Sequence, residues 1–308
     1  MSKVVTITHT VDASPEALLK ADLVVRSYCD LPRSQIRALF QNACVYINER
    51  VCYNPGADLK VGQVLRLTFE DGRKYKETKK LVPSDAYEVV YEDGHLLVVN
   101  KRAGVLTVPT RSGKDNLTLI DLIANDFPKG LNIHLVHRLD RDTSGLLVFA
   151  KSFGVATKLK NQFEARKPER IYDAFVAGEV SPKIGTYESY LTTDEDLNQY
   201  SVKDPNKGKL AVTHYEVHKY CSGATWVKVK LETGRRNQIR VHFAEKDHPV
   251  LGDARYKTEL AKHPAWKEDY LALHARTLGF KHPSTGKFLS FDSDLPDRMK
   301  RFLVRLED

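Results

Sequence analysis

The sequence lacks a C-x-x-C pair: its four cysteines, Cys29, Cys44, Cys52 and Cys221, lie scattered along the chain. That spacing offers neither a zinc knuckle nor a disulfide framework, and it suits a reducing cytoplasm. Also missing is any uninterrupted run of eighteen apolar residues, and Met1 to Val11 has no apolar core of the length a secretory signal needs. A membrane-spanning or exported chain is therefore not expected. Internal repeats and low-complexity tracts are absent as well. What the chain does have is 308 residues, 42% of them hydrophobic, enough for one large core and a small second domain. Lys and Arg outnumber Asp and Glu by 48 to 40, and the net charge of +8 favours a polyanionic partner.

Periodicity divides the chain. Residues 15 to 69 read as a small unit with a helix over Pro15 to Val25 and a second over Pro32 to Asn42. Strands follow at Val45 to Ile47, Arg50 to Tyr53 and Val64 to Phe69, the last alternating with Leu65, Leu67 and Phe69 on one face. On the second helix Ile36 and Leu39 turn inward, while Arg33 and Arg37, four apart, share a side on which they can grip phosphate oxygens. Residues 70 to 84 carry Arg73, Lys74, Lys76, Lys79 and Lys80 and almost nothing apolar, as an exposed linker does. The larger domain is expected over 85 to 308. Tyr87 to Tyr91 and Leu96 to Lys101 flank Glu92-Asp93-Gly94-His95, a hairpin with Gly94 available for a left-handed position. Leu146 to Ala150 is a continuous apolar run, a buried strand, and Phe153 to Arg166 an amphipathic helix ended by Pro168. Further strands are expected at Ile171 to Ala177, Ala211 to Tyr220, Thr225 to Glu232 and Thr277 to Phe280. Without a regular βαβ alternation, the fold class is α+β with a mixed, largely antiparallel sheet.

The segment from His137 to Val148, His-Arg-Leu-Asp-Arg-Asp-Thr-Ser-Gly-Leu-Leu-Val, sets Asp140 between Arg138 and Arg141 just ahead of the apolar strand. Composition alone allows a solvated surface turn. Chemistry gives a sharper reading, because a carboxylate that acts as a nucleophile must be ionised at neutral pH, and neighbouring guanidinium groups favour that state.

That segment stands in order with Tyr91 to Lys101, Arg170-Ile171-Tyr172, Thr233-Gly234-Arg235-Arg236-Asn237-Gln238-Ile239-Arg240-Val241-His242, Pro249 to Asp253 and Leu273-His274-Ala275. Together they resemble the RluA family of pseudouridine synthases from about Val89 to Pro296. The stretch Leu31 to Arg37 with Val45 to Asn48 looks like the small alpha-L (ribosomal protein S4-like) RNA-binding domain that many of these enzymes carry. The resemblance implies an RNA uridine isomerase in which Asp140 is the catalytic carboxylate, Tyr172 stacks on the target base and Arg240 pairs with Asp140. It further implies that Arg235 and Arg236 meet phosphates and that Arg138 orients the extruded nucleotide. Isomerisation involves no redox or hydrolytic step, so no metal or organic cofactor is expected. Ribosomal RNA of the large subunit is the favoured partner, transfer RNA the alternative, and a cytoplasmic monomer the expected form. Two positions depart from the family pattern: Arg236-Asn237 stands where Thr-His is common, and Arg102 where a proline is usual. Altered RNA contacts are the expected consequence.

Two readings from other classes remain. One is a metal hydrolase built on His134, His137, Asp140 and Asp142, and the other a non-catalytic RNA-binding or ribosome assembly protein in which Asp140 is structural.

Overall fold

The computed structural model describes residues 4–11, 19–42, 44–52, 55–73, 75, 86–109, 117–127 and 132–306. The chain forms two compact units, one over residues 1–85 with 112–116 and one over 86–111 with 117–308.

The first unit holds β1 (Val4–Thr10), β2 (Leu19–Lys20), α1 (Ala21–Tyr28), α2 (Arg33–Gln41), β3 (Val45–Ile47), β4 (Arg50–Val51), β5 (Asp58–Leu59) and β6 (Val64–Glu70). Its main sheet runs β1-β6-β3-β4, and β2 pairs with β5. The alternation of β6 turns Leu65 and Leu67 into a core with Val24, Val25, Ile36, Leu39 and Phe40. α1 starts later than the apolar spacing suggested, since Leu19 and Lys20 are extended against Leu59 and Asp58; residues 12–18 of the expected helix lie outside the described residues. β1 was not expected, and its burial shows why: outward and half-buried positions alternate with no residue fully enclosed. Of the charged stretch after β6, Tyr75 folds back on this unit. It is buried, its hydroxyl accepts from the Glu70 amide at 2.8 Å, and its backbone exchanges hydrogen bonds with the Gln35 side chain. Residues 76–85, which include the rest of the expected linker, lie outside the described residues.

The second unit contains β7 (Tyr87–Glu92), β8 (Leu96–Lys101), α3 (Leu119–Asp126), β9 (His134–Leu135), β10 (Ser144–Ala150), α4 (Phe153–Glu164), β11 (Glu169–Ala177) and β12 (Ile184–Thr193). It continues with β13 (Gln199–Val202), β14 (Lys209–Cys221), β15 (Ala224–Leu231), α5 (Gln238–Ala244), β16 (Leu273–Lys281), β17 (Phe288–Asp292) and α6 (Asp297–Arg305). Its sheet runs β13-β12-β14-β15-β11-β16-β10-β8-β7, with β17 on β16 and β9 on β10. All its pairings are antiparallel except β10 with β16, so the α+β, mostly antiparallel class holds. β10 is buried along its whole length, which is why it reads as an unbroken apolar run. α4, capped by the Ser152 hydroxyl accepting from the Val155 amide, lays Val155, Ala156 and Leu159 into the same core. Each such fully buried Leu or Val contributes about 1.5–3 kcal/mol. At the β7–β8 turn Gly94 is not left-handed. The Asp93 carboxylate makes the turn instead, accepting from the His95 and Leu96 amides at 2.7 and 2.9 Å.

One row across three strands sets the geometry at one end of this sheet. Ala275 of β16 pairs with Gly145 of β10 on one side and with Tyr172 of β11 on the other, and the register of β11 shifts between Ile171 and Tyr172. The segment leading into β10, which carries Asp140, and the ring of Tyr172 are thereby brought together at that end.

Candidate active site

Asp140 lies on the short connection entering β10, and the backbone around it is tied down from several directions. The Leu139 carbonyl accepts from the Thr107 hydroxyl at 2.8 Å, and the Arg141 carbonyl accepts from both the Gly104 amide at 2.8 Å and the Lys101 ammonium at 3.0 Å. Lys101 is wholly buried and also donates to the carbonyls of Arg102 and Val105 at 2.9 and 2.8 Å. Burial pushes its pKa down to about 7 against the pull of Asp142. Three carbonyl acceptors, however, require all three protons of the ammonium, so we assign it the charged form. Past the turn, the Ser144 hydroxyl meets His274 Nδ1 at 2.8 Å and accepts from Arg298 at 2.7 Å, while His274 Nε2 meets Ser293 at 2.7 Å. Burial holds the His274 pKa down to about 3, so the ring is a neutral hydrogen-bonding strut.

The Asp140 side chain reaches a cavity of about 180 Å³ lined by Arg138, Tyr172, Arg235, Arg236, Asn237 and Arg240, with Leu231, Ile239 and Leu273 as apolar wall. Asn237 Nδ2 donates to Asp140 Oδ2 at 2.5 Å, and Arg240 Nη1 stands 3.4 Å from the same oxygen. Arg240 makes its stronger pair with Asp253: Nε and Nη2 reach the two carboxylate oxygens at 2.7 and 2.8 Å, and the Asp253 side chain is completely buried. Burial alone would lower the Arg240 pKa, but the bonds and charge of Asp253, with Asp140 adding, raise it above the usual arginine value. Tyr172 is buried in the wall; burial raises its pKa, so the phenol stays protonated at neutral pH. Arg235 is half-buried, with Nε held by the Leu210 carbonyl at 2.9 Å, whereas Arg236 and Arg138 are exposed at the rim.

The loop ahead of α5 is built on Gln238, a buried amide whose four hydrogen bonds are all used. Its oxygen accepts from the Thr233 hydroxyl and the Arg235 amide, and its nitrogen donates to the Val212 carbonyl and the Thr213 hydroxyl, at 2.8 to 3.0 Å. Satisfied in this way, it fixes the turn that delivers Asn237 and Arg240 to the cavity.

Residues 95–245 match the model of a family described as RNA pseudouridylate synthase. The chain is 30% identical to ribosomal large subunit pseudouridine synthase D of Vibrio cholerae over 100% of its own length and 97% of that protein's. It is 37% identical to the Pseudomonas aeruginosa protein of the same name over 68% of each chain. The chain belongs to the RluA family of pseudouridine synthases. Among solved structures, human RNA pseudouridylate synthase domain containing 4 superposes with a TM-score of 0.59 at 25% identity, covering 71% of this chain and 92% of that one. Of the site residues expected for this synthase, six share the one cavity: Asp140, Tyr172, Arg240, Arg138, Arg235 and Arg236. Arg33 and Arg37 belong to the first unit, exposed on α2.

At the candidate site three residues hold places that the sequence did not assign to them. Asp253, and not Asp140, is the principal partner of Arg240. Asn237 contacts the candidate catalytic carboxylate itself. Tyr256 lies under Arg240, with the guanidinium 5.1 Å from its ring centroid, and donates to Asn237 Oδ1 at 3.3 Å. Asp253 ends the Pro249 to Asp253 stretch of the resemblance, which gave it no partner, and no local pattern marks Tyr256; both sit in an irregular loop. His137, weighed as a metal ligand, accepts from the Val148 amide through Nε2 at 3.2 Å and stacks on Phe163.

Proposed function

We propose that this pseudouridine synthase isomerises uridines in large-subunit ribosomal RNA, with Asp140 as the catalytic carboxylate. The reading is carried by one observation: a carboxylate reaching a cavity beside a buried tyrosine, with an amide and a guanidinium directed at a single one of its oxygens. The RNA target is supported by the names of the bacterial relatives.

In the reaction the bond from ribose C1′ to uracil N1 breaks, the base turns, and a bond from C1′ to C5 forms. C5 loses its proton and N1 gains one, so the sum is an isomerisation that consumes no oxidant, reductant or water. A stacked uridine must first leave its helix. Arg235 and Arg236 meet phosphates, Arg138 orients the extruded nucleotide, and Tyr172 supplies a face for the base. Arg240 sets a guanidinium nitrogen 3.4 Å from Asp140 Oδ2, a cationic donor for the carboxylate that the chemistry uses. The first unit serves as an alpha-L RNA-binding domain whose Arg33 and Arg37 contact phosphate. The four scattered cysteines, three of them buried, suit a cytoplasmic setting, and among the described residues no helix is long and apolar enough to cross a membrane.

The test is to treat ribosomal and transfer RNA separately with the purified protein and map pseudouridine. Ribosomal RNA is expected to be modified, and Asp140→Ala to reduce the rate by about 10³-fold or more while RNA binding persists. Modification of transfer RNA alone would move the substrate. RNA binding without pseudouridine formation in either RNA would replace the enzyme by a non-catalytic assembly role.

A further inference from the structure

The two oxygens of Asp140 are not equivalent. Among the described residues the two donors that reach the carboxylate, Asn237 Nδ2 at 2.5 Å and Arg240 Nη1 at 3.4 Å, both address Oδ2. Asn237 is set for this by its backbone and by a third residue. Its φ of 51° and ψ of 20° place it in the left-handed region just before α5, a conformation asparagine tolerates and most side chains do not. The Tyr256 hydroxyl accepts the Gln199 amide at 3.0 Å, which leaves its own proton to donate to Asn237 Oδ1 at 3.3 Å. A carboxylate only accepts, so the end of the amide facing Asp140 must be its NH₂, and the end facing the phenol proton its oxygen. The circuit closes through Asp253, which grips Arg240 and accepts from the Tyr256 amide at 3.1 Å.

From this geometry we propose that Asn237, oriented by Tyr256, is a positioning residue that ties Oδ2 of Asp140 and thereby assigns Oδ1 as the oxygen that reacts with the nucleotide. The inference rests on the isomerase reading. It gives the Arg236-Asn237 departure a role at the chemistry and not only in RNA contact. An amide has no proton to lose in the working pH range, so the donor is permanent, and a misdirected carboxylate would forfeit alignment with the reacting carbon.

Single-turnover rates and RNA dissociation constants of full-length variants test this, on an RNA the wild-type protein modifies. Asn237→Ala is expected to slow the step on the order of 10²-fold with RNA affinity within about two-fold of wild type. Asn237→Asp keeps the shape and tolerates the left-handed backbone, so a purely structural role ranks it milder than Asn237→Ala. The positioning role ranks it worse, because it sets an acceptor and a like charge against Asp140. Tyr256→Phe, which frees the amide to turn, is expected to lose about five-fold. Melting curves accompany each variant, and if Asn237→Ala fails to fold, Asn237→Asp and Tyr256→Phe carry the decision. Asn237→Asp turning over within two-fold of wild type, or faster than a folded Asn237→Ala, overturns the inference while Asp140→Asn stays inactive. A wild-type protein that modifies no RNA, or an active Asp140→Asn, overturns the isomerase reading instead.

Discussion

Arg240 can present one guanidinium nitrogen to Asp140 because Asp253 grips the other two donors in a bidentate pair. The pair is almost entirely shielded, with 11% and 0% of the two side chains exposed. Removing one member of such a pair leaves a charge without compensation, which costs about 3–5 kcal/mol. Asp253→Ala is therefore expected to lower stability by that amount and to remove activity, and a denaturant midpoint near that of wild type would contradict it. At this scale the sequence was only partly legible. Asp140 could be found because cationic neighbours and a long motif surround it. Asp253 closes the Pro249 to Asp253 stretch of the resemblance, but its partner is brought to it by α5, and nothing in a linear reading pairs it with Arg240.

Among the elements, the junction of β10 with β16 matters most to the site. Gly145 has φ of 118°, and a Cβ built there would collide with the Ala275 backbone, which is the residue that also pairs with Tyr172. The glycine of the Thr-Ser-Gly segment thus lets two strands approach closely enough to set Asp140 and Tyr172 on one cavity. Gly145→Ala is expected to cost about 3 kcal/mol or more and to slow catalysis more than it weakens RNA binding, measured by melting and single-turnover assays. β10 and α4 were readable from apolar periodicity, since one is buried on both faces and the other presents a single stripe. α5 was not, because nearly every residue from Gln238 to Ala244 is buried and no amphipathic contrast remains. β12 escaped for the opposite reason, having only Leu191 fully buried among exposed and half-buried positions.

For the molecule as a whole, two properties are open to measurement in solution. The first is acid sensitivity. His242 and His274 are buried in the second unit, and burial holds their pKa values down to about 4 and about 3, against an ordinary value of 6.5. Between those limits the unfolded chain binds protons that the folded one refuses, so stability present above pH 6.5 is lost as pH falls toward 4. Two such protons give a slope of roughly 3 kcal/mol per pH unit over that window. Urea midpoints that stay constant from pH 6.5 to pH 4.5 would contradict neutral buried rings.

The second property is the electrostatic footprint on RNA, which follows from the net charge of +8 and from arginines present in both units. Each phosphate neutralised releases counterions, so the logarithm of affinity falls with the logarithm of salt concentration, by about 0.7 to 0.9 per phosphate contacted. Arg33 and Arg37 project from the exposed side of α2, whose opposite side carries Ile36 and Leu39 into the core, so alanine at both leaves the packing of that helix intact. The double variant is expected to weaken binding to ribosomal RNA and to reduce the salt slope by about one to two, while the single-turnover rate at saturating RNA stays as in wild type. A slope unchanged from wild type would withdraw these two arginines from the RNA interface. A reduced rate at saturation would instead give the first unit a part in the chemical step, which phosphate contacts alone do not provide.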